Sequence, residues 1–192
     1  MLTFISGGVR SGKSSYAENL AIARRKNERP IHYVATSPAN DNEMKQRILH
    51  HQQRRNEQGI MYVTHEKEVR IEELFSHFEA GDVILIDCLT TLANNELFFD
   101  YALGTERFRA KEFRKKLFLR MVETFQTLQQ MDVEAIVVSN ELFYDPLSFD
   151  EATLIYLHWL GIMHQEIVKM SDEAYIVESS LPIIMKRRER TE

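Results

Sequence analysis

The sequence predicts an α/β protein with a mainly parallel β-sheet that is covered by helices on both faces. Short apolar runs typical of buried strands alternate with longer helix-forming segments along most of the 192 residues, and this alternation is characteristic of parallel sheets. The last two strand-like runs lie only a few residues apart, which predicts an antiparallel edge at the C-terminus. No internal repeat or linker divides the sequence, so we expect a single domain over residues 1–192.

The first half of the sequence begins with an apolar run at residues 2–6 that ends in glycines, as expected for a buried strand that enters a loop. Residues 13–25 contain good helix formers and no breaker, which predicts a helix. Asp41 is a suitable N-cap for a helix at residues 41–58, which Gly59 ends. The other elements predicted here are strands at residues 31–36, 60–64 and 82–87 and helices at residues 66–78 and 90–99.

The second half contains two long helical segments. Residues 106–130 show amphipathic spacing, and residues 149–170 form a predicted helix with Asp150 near its start. The apolar run between them, at residues 134–139, predicts another buried strand. The closing strand pair is predicted at residues 173–178 and 182–186.

A glycine-rich loop follows the first predicted strand and matches the pattern G-x-x-x-x-G-K-[ST]. In such a loop, backbone N–H groups point at phosphate oxygens, the lysine reaches the β- and γ-phosphates, and the serine hydroxyl ligates magnesium. A chance glycine-rich turn is the alternative, but the flanking strand and helix favour a phosphate loop (P-loop). Lys13 is the predicted catalytic residue. The predicted nucleotide-binding residues of the loop are Gly7, Gly8, Val9, Arg10, Ser11, Gly12, Lys13 and Ser14.

Two carboxylates stand where predicted strands end. Asp87 closes the apolar strand at residues 82–87, the position of the acid that orders Mg²⁺ in P-loop proteins. An ordinary turn aspartate is the alternative, but the phosphate loop leads us to predict Mg²⁺ binding by Ser14 and Asp87. Glu141, which follows the strand at residues 134–139, is a candidate for contact with the nucleotide or Mg²⁺, and a plain loop carboxylate is the equal alternative.

Two adjacent histidines lie in the helix predicted for residues 41–58. At 100° per residue, His51 falls on an apolar stripe, whereas His50 lies on a charged face beside Arg47 and Arg54. A neutral imidazole can attack phosphorus and form a covalent intermediate, and neighbouring arginines would hold the phosphates. His50 therefore suits a nucleophile and His51 an orienting role. Two ordinary surface histidines are the alternative that the chemistry alone leaves open.

These motifs together resemble a known family, the bifunctional adenosylcobinamide kinase/adenosylcobinamide-phosphate guanylyltransferases of cobalamin biosynthesis. The resemblance runs in collinear order over most of the chain. It is carried by the stretches at residues 6–14, 33–37, 41–44, 47–51, 86–91 and 138–141, together with Asn94.

The resemblance implies a two-step activity with GTP and ATP as substrates, Mg²⁺ as cofactor and adenosylcobinamide as the corrinoid substrate. A nucleoside triphosphate first phosphorylates adenosylcobinamide; His50 then attacks the α-phosphate of GTP, and the GMP passes to adenosylcobinamide phosphate. The resemblance also implies a RecA-like P-loop fold and a homo-oligomer, specifically a trimer. Thr36 and Ser37, in a matched stretch, are predicted to contact the nucleotide, as are Arg47 and Arg54.

The C-terminal half departs from the family pattern. The loop after Glu141 lacks the usual Val-Gly and glycine-rich sequence, and His164-Gln165 stands where the family shows Asn-Gln. Two alternatives therefore stay open: a P-loop kinase for a small molecule that lacks guanylyl transfer, and a non-catalytic nucleotide-binding module.

Composition excludes several other classes. The net charge of −5 argues against non-specific nucleic-acid binding. The single cysteine, Cys88, permits no internal disulfide and is expected to serve packing. The sequence shows neither a signal peptide nor an apolar stretch long enough for a membrane span. These features predict a cytoplasmic protein.

Overall fold

Strands with apolar side chains on both faces form the centre of the molecule. The computed structural model describes residues 1–26, 28–37, 60–144 and 150–187. The strands in these ranges are β1 (Leu2–Gly7), β2 (Ile31–Ala35), β3 (Tyr62–Glu66), β4 (Val83–Asp87), β5 (Glu134–Asn140), β6 (Glu173–Glu178) and β7 (Leu181–Arg187). Within the same ranges they form one seven-stranded sheet in the order β3-β2-β4-β5-β1-β6-β7.

Strands β1 to β6 pair in parallel, and β7 pairs antiparallel with β6. The turn between the last two strands consists of Ser179 and Ser180, whose φ angles of 50° and 66° are both left-handed. Two consecutive left-handed residues make the tight turn that matches the twist of a hairpin. The predicted mainly parallel sheet with an antiparallel C-terminal edge is therefore confirmed.

Helices cover both faces of the sheet. The α-helices of the described residues are α1 (Lys13–Arg24), α2 (Leu89–Phe98), α3 (Lys111–Gln130) and α4 (Glu151–Met170). Short 3-10 helices span Ile71–His77, Tyr101–Leu103 and Arg107–Arg109. None of the helices described is both long and apolar enough to cross a membrane.

The alternation of side chains along each strand divides the core between the two faces. In β4, Ile84 and Ile86 pack with α2, α3 and α4, whereas Val83 and Leu85 pack on the side of α1. Successive residues of a strand point to opposite faces, so a central strand must be apolar at every position. The chain meets this requirement in β4, whose residues Val83 to Ile86 are all buried.

Two predicted helices differ from the observed structure. The helix predicted at residues 66–78 is replaced by the 3-10 helix Ile71–His77, because Glu66 pairs with β2 and Arg70 adopts a left-handed φ of 54°. The helix predicted at residues 106–130 begins at Lys111, because Ala110 is extended. The helix predicted at residues 149–170 is observed as α4, and Asp150 caps it by accepting a hydrogen bond of 2.9 Å from the Thr153 amide. The helix predicted at residues 41–58 lies outside the described residues.

Candidate nucleotide site

The phosphate loop lies between the end of β1 and the start of α1. Gly12 precedes α1 with a left-handed φ of 91°, and Arg10 is also left-handed, with φ 62°. The Ser11 amide donates a hydrogen bond of 3.2 Å to the Gly8 carbonyl, and the Lys13 ammonium donates one of 3.0 Å to the same oxygen. The lysine is therefore held over the loop that precedes it.

The turn between β6 and β7 supports this loop from below. The Ser180 amide donates a hydrogen bond of 2.8 Å to the Ser11 carbonyl. A Cβ atom at Gly12 would lie 2.6 Å from Ser180 Oγ, and one at Gly7 would lie 2.5 Å from the Val177 carbonyl oxygen. Real Cβ contacts do not come this close, so packing requires glycine at both positions, and the left-handed φ of Gly12 also favours glycine there.

A cleft of about 300 Å³ opens at the carboxyl edge of the sheet. Because β5 lies between β1 and β4, its last residue, Asn140, separates the phosphate loop from Asp87. Ligands of open α/β sheets bind outside the carboxyl ends of the strands. The residues that line this cleft are Arg10, Gly12, Lys13, Ser14, Ser15, Tyr33, Asp87, Cys88, Thr91 and Asn140.

The oxygen donors in the cleft suit a magnesium ion. Ser14 and Asp87 line the same cleft, and the Tyr33 hydroxyl donates a hydrogen bond of 2.9 Å to Asp87 Oδ2, which orients that carboxylate. The residues that the structure describes hold no cluster of three or more His, Cys, Asp or Glu side chains able to bind a metal by themselves. Mg²⁺ typically uses one or two protein oxygens together with substrate phosphates, and this donor set fits that mode.

Thr36, the residue after β2, is hydrogen-bonded to Cys88, the residue after β4. The Thr36 hydroxyl donates to the Cys88 carbonyl and accepts from the Cys88 amide, both at 2.8 Å. Thr36 is fully buried, so its hydroxyl acts here as a support beneath the cleft. Burial, and to a lesser degree the charge of Asp87, raise the pKa of the Cys88 thiol, which agrees with a packing role. Ser37 is also buried, and the predicted nucleotide contacts of Thr36 and Ser37 stay predictions.

Glu141 lies next to the phosphate loop without lining the cleft. Its amide donates a hydrogen bond of 2.9 Å to the Gly7 carbonyl, and its carboxylate accepts one of 2.6 Å from the Phe143 amide. Both contacts fix the turn after β5. A direct contact between Glu141 and the nucleotide therefore stays a prediction.

Three further residues predicted to act at this site are Arg47, His50 and Arg54. All three lie outside the described residues, so their assignment stands on the sequence alone. The described part of the site brings together Arg10, Gly12, Lys13, Ser14 and Asp87, as the motifs predict.

The cleft also contains residues that were not predicted as site residues, among them Asn140 and Tyr33. Asn140 follows the apolar run of β5, so the rule that parallel strands end at one edge could have identified it. Tyr33 lies inside β2, and its contact with Asp87 depends on the register that pairs Tyr33 with Leu85. No local pattern in the sequence reports that register.

A parallel sheet with a phosphate loop after β1 and an acid at the end of β4 defines a P-loop nucleotide-binding protein. A solved structure of an ATPase from the type III secretion system of pathogenic bacteria shares the fold. Its TM-score is 0.51 and its sequence identity 14%, with 91% of this chain and 50% of that chain covered.

Sequence comparisons identify the family. The model for the family described as "Cobinamide kinase / cobinamide phosphate guanyltransferase" matches residues 3–185, and the chain belongs to this family. The bifunctional adenosylcobalamin biosynthesis protein CobP of Pseudomonas aeruginosa is 31% identical, with 97% of this chain and 98% of the relative covered. The bifunctional adenosylcobalamin biosynthesis protein CobU of Escherichia coli is 26% identical, with 97% and 100% covered. The resemblance in the sequence motifs is thereby confirmed.

Proposed function

We propose that this protein phosphorylates adenosylcobinamide with a nucleoside triphosphate and then transfers GMP from GTP to adenosylcobinamide phosphate. The observation that carries the proposal is the cleft in which Lys13, Ser14 and Asp87 converge at the end of the phosphate loop. Family membership supports the choice of a cobinamide substrate. The two bifunctional relatives match this chain over nearly their whole length.

In the kinase step, a hydroxyl oxygen of adenosylcobinamide attacks the γ-phosphorus. The bond from that phosphorus to the bridging oxygen breaks, a nucleoside diphosphate leaves, and the hydroxyl proton passes to water. The loop amides and the α1 N-terminus bind the phosphates, and Lys13 offsets the charge that develops on them. Mg²⁺, held by Ser14 and Asp87, would neutralise further phosphate charge when bound.

In the guanylyl step, a neutral imidazole nitrogen of His50 attacks the α-phosphorus of GTP, and pyrophosphate leaves. A phosphate oxygen of adenosylcobinamide phosphate then attacks the same phosphorus. The phosphorus–nitrogen bond breaks and the imidazole is regenerated. Support for His50 comes from its position on the charged face of a predicted helix, beside Arg47 and Arg54.

The kinase step is tested with adenosylcobinamide, Mg²⁺ and ATP or GTP labelled at the γ-phosphate. We expect label in the corrinoid with wild-type protein and a loss of about 10²-fold or more in Lys13→Ala. Lys169→Ala is the matched control, because Lys169 is an exposed residue of α4 whose side chain pairs with Glu166. A folded wild-type protein that binds nucleotide but transfers no label to adenosylcobinamide would contradict the proposed kinase step and would leave a kinase for another small molecule or the non-catalytic module.

The guanylyl step is tested with GTP labelled at the α-phosphate. A phosphoramidate is stable in base and labile in acid, so label with these properties should appear on the wild type and be absent from His50→Ala. His158→Ala provides the control, since His158 is an exposed histidine of α4. Kinase activity without this label would favour the kinase that lacks guanylyl transfer.

A further inference from the structure

A chain of hydrogen bonds runs from α4 to the base of the cleft. His164 Nε2 lies 2.8 Å from Ser139 Oγ, and Ser139 Oγ lies 3.0 Å from Thr90 Oγ1. Thr90 Oγ1 in turn accepts a hydrogen bond of 2.7 Å from the Asn140 amide. Ser139 is fully buried and Thr90 is buried. These hydrogen bonds therefore link α4, a helix outside the nucleotide site, to Asn140, which lines the cleft.

The direction of the protons in this chain follows from the acceptors available. Burial lowers the pKa of His164 to about 4, so near neutral pH the imidazole is neutral and one ring nitrogen is an acceptor. If Nε2 accepts from Ser139, then Ser139 accepts from Thr90 and Thr90 accepts from the Asn140 amide. In this arrangement every buried hydroxyl both donates and accepts. In the opposite direction the Thr90 hydroxyl would donate to no group of this hydrogen-bond chain, and the Cys88 sulfur, a weak acceptor, would remain for its proton.

The ring of His164 also holds the turn that follows β5. Its edge contacts pair it with Phe4, at a centroid distance of 5.1 Å, and with Phe143, at 5.4 Å. Phe143 packs over Gly161, where an added Cβ would lie 3.5 Å from the phenyl ring. The Phe143 amide donates to the Glu141 carboxylate. The turn after β5 is therefore held both by this hydrogen bond and by the contact between the rings of Phe143 and His164.

We infer that His164 is a positioning residue for the nucleotide cleft, which sets the end of β5 through Ser139 and Thr90 and the turn after β5 through Phe143. The inference rests on the proposed function only in taking the cleft as the place of reaction. His164 acts on the cleft indirectly, through Ser139 and Phe143, and so fixes Asn140 between the phosphate loop and Asp87. Loss of this support leaves the nucleotide bound but places Asn140 less accurately.

The test compares His164→Leu, which removes the acceptor and keeps apolar bulk, with His164→Gln, whose amide oxygen can accept from Ser139. Steady-state kinase assays should show kcat reduced about tenfold in His164→Leu, the value of one buried hydrogen bond, with KM for the nucleotide little changed. His164→Gln should recover most of the loss. His158→Leu, an exposed position on the same helix, should match the wild type.

A double-mutant cycle that combines His164→Leu with Ser139→Ala tests whether the two residues affect kcat through the same hydrogen bonds or independently. If the two residues act through one another, the double variant loses no more kcat than either single variant, whereas independent effects multiply to about 10²-fold. Multiplicative losses, or a His164→Gln variant as impaired as His164→Leu, would overturn the inference.

Amide hydrogen exchange gives a readout that does not require turnover. Exchange at Asn140 should accelerate in both His164→Leu and Ser139→Ala, and exchange at Phe143 should accelerate in His164→Leu, while the β6 amides stay at the wild-type rate. Unchanged exchange at Asn140 and Phe143 would contradict the inference even in folded variants. A wild type without kinase activity would instead contradict the proposed function, and the exchange comparison would still decide the role of His164.

Discussion

Polar side chains serve different purposes at the two ends of the parallel strands. The side where the strands end is called the carboxyl edge here, and the side where they begin is called the amino edge. At the carboxyl edge, Lys13 and Asp87 line an open cleft. At the amino edge, Asp82 accepts a hydrogen bond of 2.7 Å from Arg29 and another of 2.7 Å from the Glu79 amide. The same carboxylate lies 3.3 Å from His32 Nε2. Charges at the amino edge thus contact partners from the same chain.

Two histidines near the amino edge, His32 of β2 and His65 of β3, also contact each other. His32 Nδ1 lies 2.9 Å from His65 Nε2. Burial lowers the pKa of His32, and this effect outweighs the attraction of Asp82, which raises it. Burial also lowers the pKa of His65. We therefore expect substitutions at the carboxyl edge to reduce activity and substitutions at the amino edge to reduce stability.

The largest effect is expected for Asp87→Asn at the carboxyl edge. Loss of the charge that orders Mg²⁺ should reduce kcat of the kinase step about 10³-fold, within the range for removal of one electrostatic contact, and should raise the Mg²⁺ concentration needed for half-maximal rate. Urea unfolding should be nearly unchanged. Asp132→Asn is the control, because Asp132 is exposed before β5. A fully active Asp87→Asn protein would contradict the functional role assigned to the carboxyl edge.

At the amino edge, Asp82→Ala should lower the free energy of unfolding by about 2 to 3 kcal/mol, the cost of leaving hydrogen-bonding groups at a buried position without their acceptor. The substitution leaves Arg29, His32 and the Glu79 amide without their shared acceptor. The measurement is urea denaturation, and kcat at a temperature where the variant is folded should stay within about twofold of wild type. Glu79→Ala should have little effect on stability, since the Glu79 side chain is 78% exposed.

The sequence predicted the carboxyl edge better than the amino edge, for a physical reason. The phosphate loop and Asp87 are local patterns at strand ends, and the strands themselves follow from continuous apolar runs. The contacts of Asp82 with Arg29 and His32 join residues about 50 positions apart, so they depend on the pairing of β2 with β4. Tertiary pairing also explains why residues 66–78 did not form the predicted α-helix: β3 extends to Glu66 alongside β2.

His164 lies beneath the carboxyl edge, and yet we expect it to affect stability. Burial lowers its folded pKa to about 4, while an unfolded histidine titrates near 6.5. Between these values the unfolded chain binds a proton that the folded protein does not, so stability decreases as pH falls through this window and is unaffected above it. The loss should reach about 2 kcal/mol between pH 7 and pH 5.

The measurement compares urea unfolding of wild type and His164→Gln at about pH 7 and pH 5. Because His32 and His65 are present in both proteins, their contributions cancel in the difference. The variant should lose about 2 kcal/mol less than the wild type over this range. Equal losses would mean that the pKa of His164 is not lowered in the folded protein.

The smallest effect is expected for Tyr33→Phe, which removes one hydroxyl and keeps the ring in the core. The Tyr33 hydroxyl donates to Asp87 Oδ2 at 2.9 Å. Without this hydrogen bond, the Asp87 carboxylate should be oriented less firmly. We expect kcat of the kinase step to fall about fivefold to tenfold, the value of one ordinary hydrogen bond, with a higher Mg²⁺ requirement. Stability should change little, since Tyr33 packs with α1 through its ring. If Tyr33→Phe loses stability and retains kcat, Tyr33 has a structural role like that of the amino-edge residues. The position of a residue along its strand would then not be enough to predict whether it affects activity or stability.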